Sequence, residues 1–93
     1  MIIKDRDSYR VQGPVTMTNV TSLLAEGTAL FGQDALKIDL SAVEEVDSSA
    51  ISLMLQWMRE AKQRNQPLAF TNLPANLKSL ATLYGVLDIV PQG

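Results

Sequence analysis

The stretch Val46–Leu55, with the sequence VDSSAISLML, decides how this chain is interpreted, because an acid and two serines directly precede an apolar segment. Side chains of this kind typically begin a helix, where their oxygen atoms accept hydrogen bonds from the free N–H groups of the first turn. Asp47, Ser48 and Ser49 are each able to do so. Two other uses remain open: a catalytic serine, or a helix N-terminus that contacts a phosphate or a partner protein.

The residues after this motif predict a helix from about Ser49 to Arg64. Its apolar side covers an arc of roughly 200°, whereas a helix packed on a sheet needs only about 100°. Part of the apolar side is therefore expected to lie at an exposed rim, and Leu53 and Trp57 are the rim residues nearest Ser49. Such a rim suits a partner protein, because tryptophan is a frequent binding anchor. The alternative is that loops or the first helix of the chain cover it.

Strands are predicted on both sides of this helix. In ALKIDLS, residues 35–41, Leu36, Ile38 and Leu40 alternate with polar residues, which is typical of a strand with one buried face. SAVEEV, residues 41–46, leads from that strand into the motif, and we expect its two valines to be buried. PLAFTNL, residues 67–73, predicts another strand.

The two ends of the chain complete an alternation of strands and helices. Residues 1–12 predict a hairpin, and Pro14 marks an edge or a strand start. A helix is expected from about Asn19 to Gly32, although Gly27 within it costs about 1 kcal/mol relative to alanine. Another helix is expected from Pro74 to just before Gly85, followed by a short strand at residues 87–90. Its expected buried residues are Leu77, Leu80, Ala81 and Tyr84. Strands that alternate with helices imply an α/β fold with a partly parallel sheet.

Composition excludes several functions. The 93 residues suit one domain, carry a net charge of −2 and include neither cysteine nor histidine. Serine catalysis is disfavoured, because there is no histidine base and no Gly-x-Ser-x-Gly motif. Four acids, Asp39, Glu44, Glu45 and Asp47, are more typical of a solvated loop than of a metal site. We therefore predict no enzyme activity, metal or cofactor, and we expect no binding to nucleic acid because there is no basic block.

The N-terminal residues lack the apolar centre of a signal peptide, and no apolar run approaches the ~20 residues that span a bilayer. We therefore expect a cytoplasmic protein that does not itself insert into a membrane.

These motifs resemble one family along nearly the whole chain. The strand LKIDLS, the element V..VDSSA, the apolar helix, the strand PLAFTNL and the helix ending LATLYG are similar to the STAS domain, which is named for sulfate transporters and anti-sigma-factor antagonists. Typical members have glycine where Ala50 stands. The resemblance implies a single STAS domain over residues 1–93, with a small mixed β-sheet and helices packed mainly on one face.

Two branches of the family fit, and each implies a different partner. In anti-sigma-factor antagonists a kinase phosphorylates the residue that corresponds to Ser49, which breaks binding to that kinase. In the MlaB-like branch, the STAS protein binds the ATPase subunit of an Mla-type ABC phospholipid transporter, with the residue corresponding to Ser48 at the contact. The tail LATLYGVLDIVP favours the MlaB-like branch.

The prediction is a non-enzymatic STAS subunit that supports the assembly and activity of such an ATPase, and through it a permease, in the maintenance of outer-membrane lipid asymmetry. It would lie at the periphery of the inner membrane, bound there through its partner. The sequence leaves undecided whether the free protein forms a weak homodimer. The predicted binding residues, which include the possible phosphorylation sites, are Asp47, Ser48, Ser49, Ser52, Leu53, Gln56 and Trp57.

Overall fold

A computed structural model describes residues 1–32 and 34–92 and shows an α/β architecture. Six strands and three α-helices follow one another along these residues, with a short 3-10 helix near the C-terminus. The strands are β1 (Ile2–Asp5), β2 (Ser8–Val11), β3 (Gly13–Val15), β4 (Leu36–Asp39), β5 (Val43–Val46) and β6 (Leu68–Thr71). The helices are α1 (Val20–Leu30), α2 (Ser48–Gln63) and α3 (Ala75–Leu83), and the 3-10 helix is Leu87–Ile89.

The main sheet is mixed, as the sequence predicts. Its strand order is β1-β2-β4-β6, where β1 and β2 form the antiparallel hairpin and the other neighbours run parallel. A second, two-stranded parallel sheet joins β3 to β5. Because β3 and β5 run in parallel, their C-terminal ends meet at one end of the molecule. That end carries the start of α1 and the start of α2, and so it positions the motif.

The core lies between one face of the sheet and the helices. Val11, Ile38 and Phe70, from three neighbouring strands, are fully buried. The expected alternation in β4 is confirmed, because Leu36 and Ile38 are buried while Lys37 is exposed. This one-sided burial agrees with helices packed mainly on one face of the sheet. None of the helices in the described residues is long and apolar enough to cross a membrane.

Three details near the C-terminus differ from the sequence-based expectations. The prediction of a short strand at residues 87–90 is wrong, because Leu87–Ile89 form a 3-10 helix. The backbone contacts β6 only after this helix, where the Phe70 N–H donates to the Pro91 carbonyl at 2.8 Å. Tyr84 is 54% exposed rather than buried, since α3 ends at Leu83. Pro74 immediately precedes α3 instead of forming its first residue.

Residues 43–46 form a strand that the sequence did not identify as one. The segment has only four residues, and two of them, Glu44 and Glu45, are exposed. It therefore lacks the alternating pattern of a half-buried strand, although Val43 is buried as expected. Its strand geometry depends on pairing with β3, which is distant in sequence.

Candidate functional site

Asp47 is the residue that caps α2, which settles the alternative that the sequence left open among Asp47, Ser48 and Ser49. Its backbone is extended, and its Oδ1 atom accepts a hydrogen bond of 2.8 Å from the Ser49 backbone N–H. The Asp47 carbonyl accepts the next bond, from the Ala50 N–H at 3.0 Å. An acidic N-cap also lies at the positive end of the helix dipole, which favours the ionised carboxylate.

The second carboxylate oxygen of Asp47 ties α2 to the loop before α1. Asp47 Oδ2 accepts a hydrogen bond of 3.0 Å from the Met17 backbone N–H, and Asp47 N–H donates to the Val15 carbonyl at 3.4 Å. The bond from Met17 lowers the pKa of Asp47 most; desolvation opposes it, and the bonds from Ser49 lower the pKa further. Asp47 is therefore ionised at neutral pH and joins two segments thirty residues apart.

Asn19 fixes the same loop from its other side. Its Oδ1 atom accepts a 2.7 Å hydrogen bond from the Thr16 backbone N–H, and its amide nitrogen donates to the Pro14 carbonyl. Asn19 immediately precedes α1, and its side chain bonds back to the loop rather than to the helix. Met17, held between Asp47 and Asn19, is 77% exposed. No sequence pattern indicated this exposure, because an isolated methionine is more often buried.

The serines of the motif differ in accessibility. Ser48, the first residue of α2, is exposed, whereas Ser49 is half-buried. Ser52, one turn after Ser48, is exposed, and Gln56 is half-buried one turn later. Gln56 donates a hydrogen bond of 3.0 Å to Glu60 Oε2. Residues four apart lie on one side of a helix, so Ser48, Ser52 and Gln56 form a polar row along α2.

The expected exposed rim of α2 is wrong for Leu53 and Trp57, because each is only 2% exposed. Helix α1 packs against this side of α2, which is the alternative in which the first helix covers the rim. Phe31, at the end of α1, meets Trp57 edge-to-face with ring centroids 5.1 Å apart. Leu53 and Trp57 therefore belong to the core, and they are unavailable to a partner in this conformation.

The cavity next to the motif is small and apolar. A cavity beneath the N-terminus of α2 measures about 10 Å³ and is lined by apolar residues such as Ala50 and Leu53. This volume corresponds to about one water molecule. Both oxygens of Asp47 are occupied by backbone N–H groups, so Asp47 is poorly suited to activate a serine. Within the described part of the chain, no group of three or more acids is arranged to hold a metal ion.

Comparison with known proteins identifies the family. The model of the family described as "Mlab, STAS domain" matches residues 5–91. No curated protein sequence matches the chain significantly.

Similar solved structures support the same fold. One is the anti-sigma factor antagonist SpoIIAA in its unphosphorylated form, with a TM-score of 0.74 and 18% identity over 100% of this chain and 86% of that chain. Another is a putative anti-sigma factor antagonist from Thermotoga maritima, with a TM-score of 0.82 and 14% identity over 99% and 83%. A chain of the stressosome, a signal integration and transduction hub, has a TM-score of 0.63 and 26% identity over 99% and 85%.

The first two likenesses show the fold alone, whereas the family model covers nearly the whole sequence. STAS domains act as regulatory or accessory domains. The chain belongs to the STAS-domain family, in the group described as "Mlab, STAS domain".

Proposed function

We propose that this protein is the non-enzymatic STAS subunit of an Mla-type ABC phospholipid transporter and that it binds the ATPase subunit on the cytoplasmic side of the inner membrane. The match of the "Mlab, STAS domain" family model over residues 5–91 carries this proposal. The role is accessory: binding supports the assembly and ATP turnover of the ATPase subunit, and through it the permease, in maintaining outer-membrane lipid asymmetry.

The contact surface of this proposal is the start of α2. Ser48 and Ser52 are exposed there, and Gln56 extends the same row. Asp47 fixes this surface by bonding both to the first turn of α2 and to Met17. Because these bonds already hold the backbone, a partner would bind a surface that is ordered in advance, which lowers the entropy lost on association. Leu53 and Trp57 are left out of the surface, since both are buried.

A second candidate function is that of an anti-sigma-factor antagonist switched by serine phosphorylation. Its support is the likeness to solved antagonists and to a stressosome chain. Ser49, the residue implied as phosphate acceptor, is half-buried, whereas its neighbour Ser48 is exposed. The exposure of the two side chains therefore gives Ser49 no advantage as an acceptor.

A pull-down from native membranes separates the two functions. The immobilised full chain is incubated with a detergent extract of membranes and with the matching soluble fraction, and the bound proteins are identified by mass spectrometry. Recovery of an ABC ATPase together with its permease supports the transporter role. Recovery of a serine kinase without the ATPase contradicts it and supports the antagonist role.

A further inference from the structure

Met17 is an exposed apolar side chain on a fixed piece of backbone. It is 77% exposed, yet its N–H donates to Asp47 at 3.0 Å and the flanking loop is held by Asn19. An exposed methionine on a mobile loop would lose backbone freedom on binding, whereas this loop is already ordered. The flexible thioether side chain of methionine adapts to irregular apolar recesses. Met17 is therefore suited to enter such a recess on a partner.

The charge along the segment that contains Met17 and the motif is strongly one-sided. Between Arg10 and Arg59 the sequence has six acidic residues and a single basic one, Lys37. Three of the acids belong to the motif region: Glu44 and Glu45 are exposed on β5, and Asp47 follows them. At roughly 3.3 Å per strand residue, both glutamates lie within about 10 Å of Asp47 along the chain. Because the Debye length is about 8 Å at physiological ionic strength, neighbouring charges of this group act together.

No basic side chain of the described residues forms a salt bridge with Glu44, Glu45 or Asp47. The described chain has three ion pairs, which use the acids Glu26, Asp5 and Asp39 and so leave out the three acids of the motif region. Lys78 is the basic residue in the first turn of α3, near the point where Asn76 donates to the Glu44 carbonyl. It forms no salt bridge with Glu44 or Glu45. An apolar anchor thus stands beside a negative surface.

We propose that the motif end, formed by Met17, Glu44, Glu45, Asp47 and Ser48, docks onto a basic protein surface that has an apolar recess for the Met17 side chain. This inference rests on the proposed function and assigns that basic surface to the ATPase subunit. Opposite charges steer the approach of the two proteins, and the buried methionine slows their dissociation. A second copy of this chain fits less well, because two such acidic surfaces repel one another.

The test measures association and dissociation rates for the purified ATPase subunit that the membrane pull-down recovers. Met17→Ala is expected to weaken binding about tenfold, mainly through faster dissociation. The charge reversal Glu44→Lys/Glu45→Lys is expected to slow association about tenfold, and association of the wild type is expected to slow as salt is raised. Both variants should fold, because all three side chains are exposed.

Matched controls come from residues outside the motif end. The Leu83 side chain on α3 is 78% exposed, nearly the same fraction as Met17. Leu83→Ala therefore removes a similarly exposed apolar side chain from outside the motif end. Asp88→Lys reverses an exposed acid in the C-terminal 3-10 helix. Neither control is expected to change the affinity by more than about twofold.

Each of the following outcomes would contradict one part of the docking inference or of the proposed function. If the ATPase binds Met17→Ala and the charge-reversed variant like wild type, the docking inference is wrong while the proposed function stands. If only Met17→Ala has an effect, the basic nature of the surface is wrong. If light scattering shows that wild type self-associates and Met17→Ala does not, a second copy is the occupant and the inference fails. If no ATPase is recovered, the proposed function fails, and the inference fails with it.

Discussion

Gly27 of α1 lies directly against the indole ring of Trp57 on α2. A Cβ atom built at Gly27 would stand 2.9 Å from both Cζ2 and Nε1 of Trp57. This contact explains why a glycine interrupts a helix that would otherwise favour alanine. It also explains why Trp57 is buried, since the missing side chain allows the two helices to approach closely.

Gly27→Ala should destabilise the protein. Overpacking a core costs about 1–3 kcal/mol, and the gain in helix propensity returns about 1 kcal/mol. We therefore expect a net loss of up to about 2 kcal/mol in the free energy of unfolding, measured by urea denaturation. Gly32→Ala is the control, because a Cβ there meets no atom within 4 Å. If Gly27→Ala were instead more stable than wild type by about 1 kcal/mol, the full gain in helix propensity, the helices would not be in close contact.

Leu53 should act on stability rather than on binding. Leu53→Ala removes a buried side chain from between α2 and the core, at an expected cost of about 2–4 kcal/mol in unfolding free energy. Ser52→Ala, at the exposed neighbouring position, should change that energy by less than about 0.5 kcal/mol. Chemical denaturation of both variants checks this contrast. If Leu53→Ala lost little unfolding free energy, Leu53 would lie at an exposed rim, as the sequence predicted, and not in the core.

Asp47 should make the stability depend on pH. Its pKa in the folded state lies below the ordinary value of 3.8, so the ionised carboxylate stabilises the fold above that value. This contribution is lost as the pH falls through the folded-state pKa. Asp47→Asn keeps a capping oxygen but cannot ionise. The wild type is therefore expected to exceed Asp47→Asn in stability at neutral pH, and the difference should shrink below about pH 3.8.

The check on Asp47 is denaturant unfolding of both proteins across the acidic range. The comparison cancels the titration of the other carboxyl groups, including Asp39. Burial raises the pKa of Asp39, but hydrogen bonds from Ser41 and Asn72 and the charge of Arg10 together lower it by more, so that its pKa lies below the ordinary value. A difference that stays constant with pH would contradict the assigned role of the Asp47 charge.

Gln66 holds the connection between α1 and β4. Its side-chain nitrogen donates hydrogen bonds of 2.6 Å to the carbonyls of both Gly32 and Asp34, and the residue is only 7% exposed. Gln66→Met keeps the length of the side chain but removes both bonds, so we expect a loss of about 1–3 kcal/mol in unfolding free energy. Gln63→Met, at an exposed position of α2, is the matched control in the same denaturation experiment.

The local pattern of apolar and polar residues was sufficient to predict those elements whose burial follows from their own sequence. The alternation in β4 and the hairpin of β1 and β2 are confirmed, and α2 differs by one residue at each end from its predicted bounds. The short strand β5 could not be predicted, because its pairing with β3 is a contact across thirty residues. The burial of Trp57 stayed one of two alternatives for the same kind of reason, since it depends on a glycine in another helix.

The candidate site shows the same limit. The sequence indicated that Asp47, Ser48 and Ser49 begin a helix, and the structure assigns the cap to Asp47. It did not indicate Met17, because the bond from its N–H to Asp47 joins residues that no periodicity relates. Contacts that folding creates between separate segments of the chain can be identified only from the three-dimensional structure.

The proposed function requires this protein to bind a transporter ATPase through the start of α2. The most direct measurement is ATP turnover of the purified ATPase subunit, alone and with added wild type, Ser48→Tyr or Gln63→Tyr. Ser48→Tyr adds volume without charge at an exposed position, and Gln63→Tyr does so about 22 Å away at the other end of the helix. We expect that wild type and Gln63→Tyr raise the turnover equally and that Ser48→Tyr does not. Unchanged turnover with wild type, or full activity of Ser48→Tyr, would contradict it.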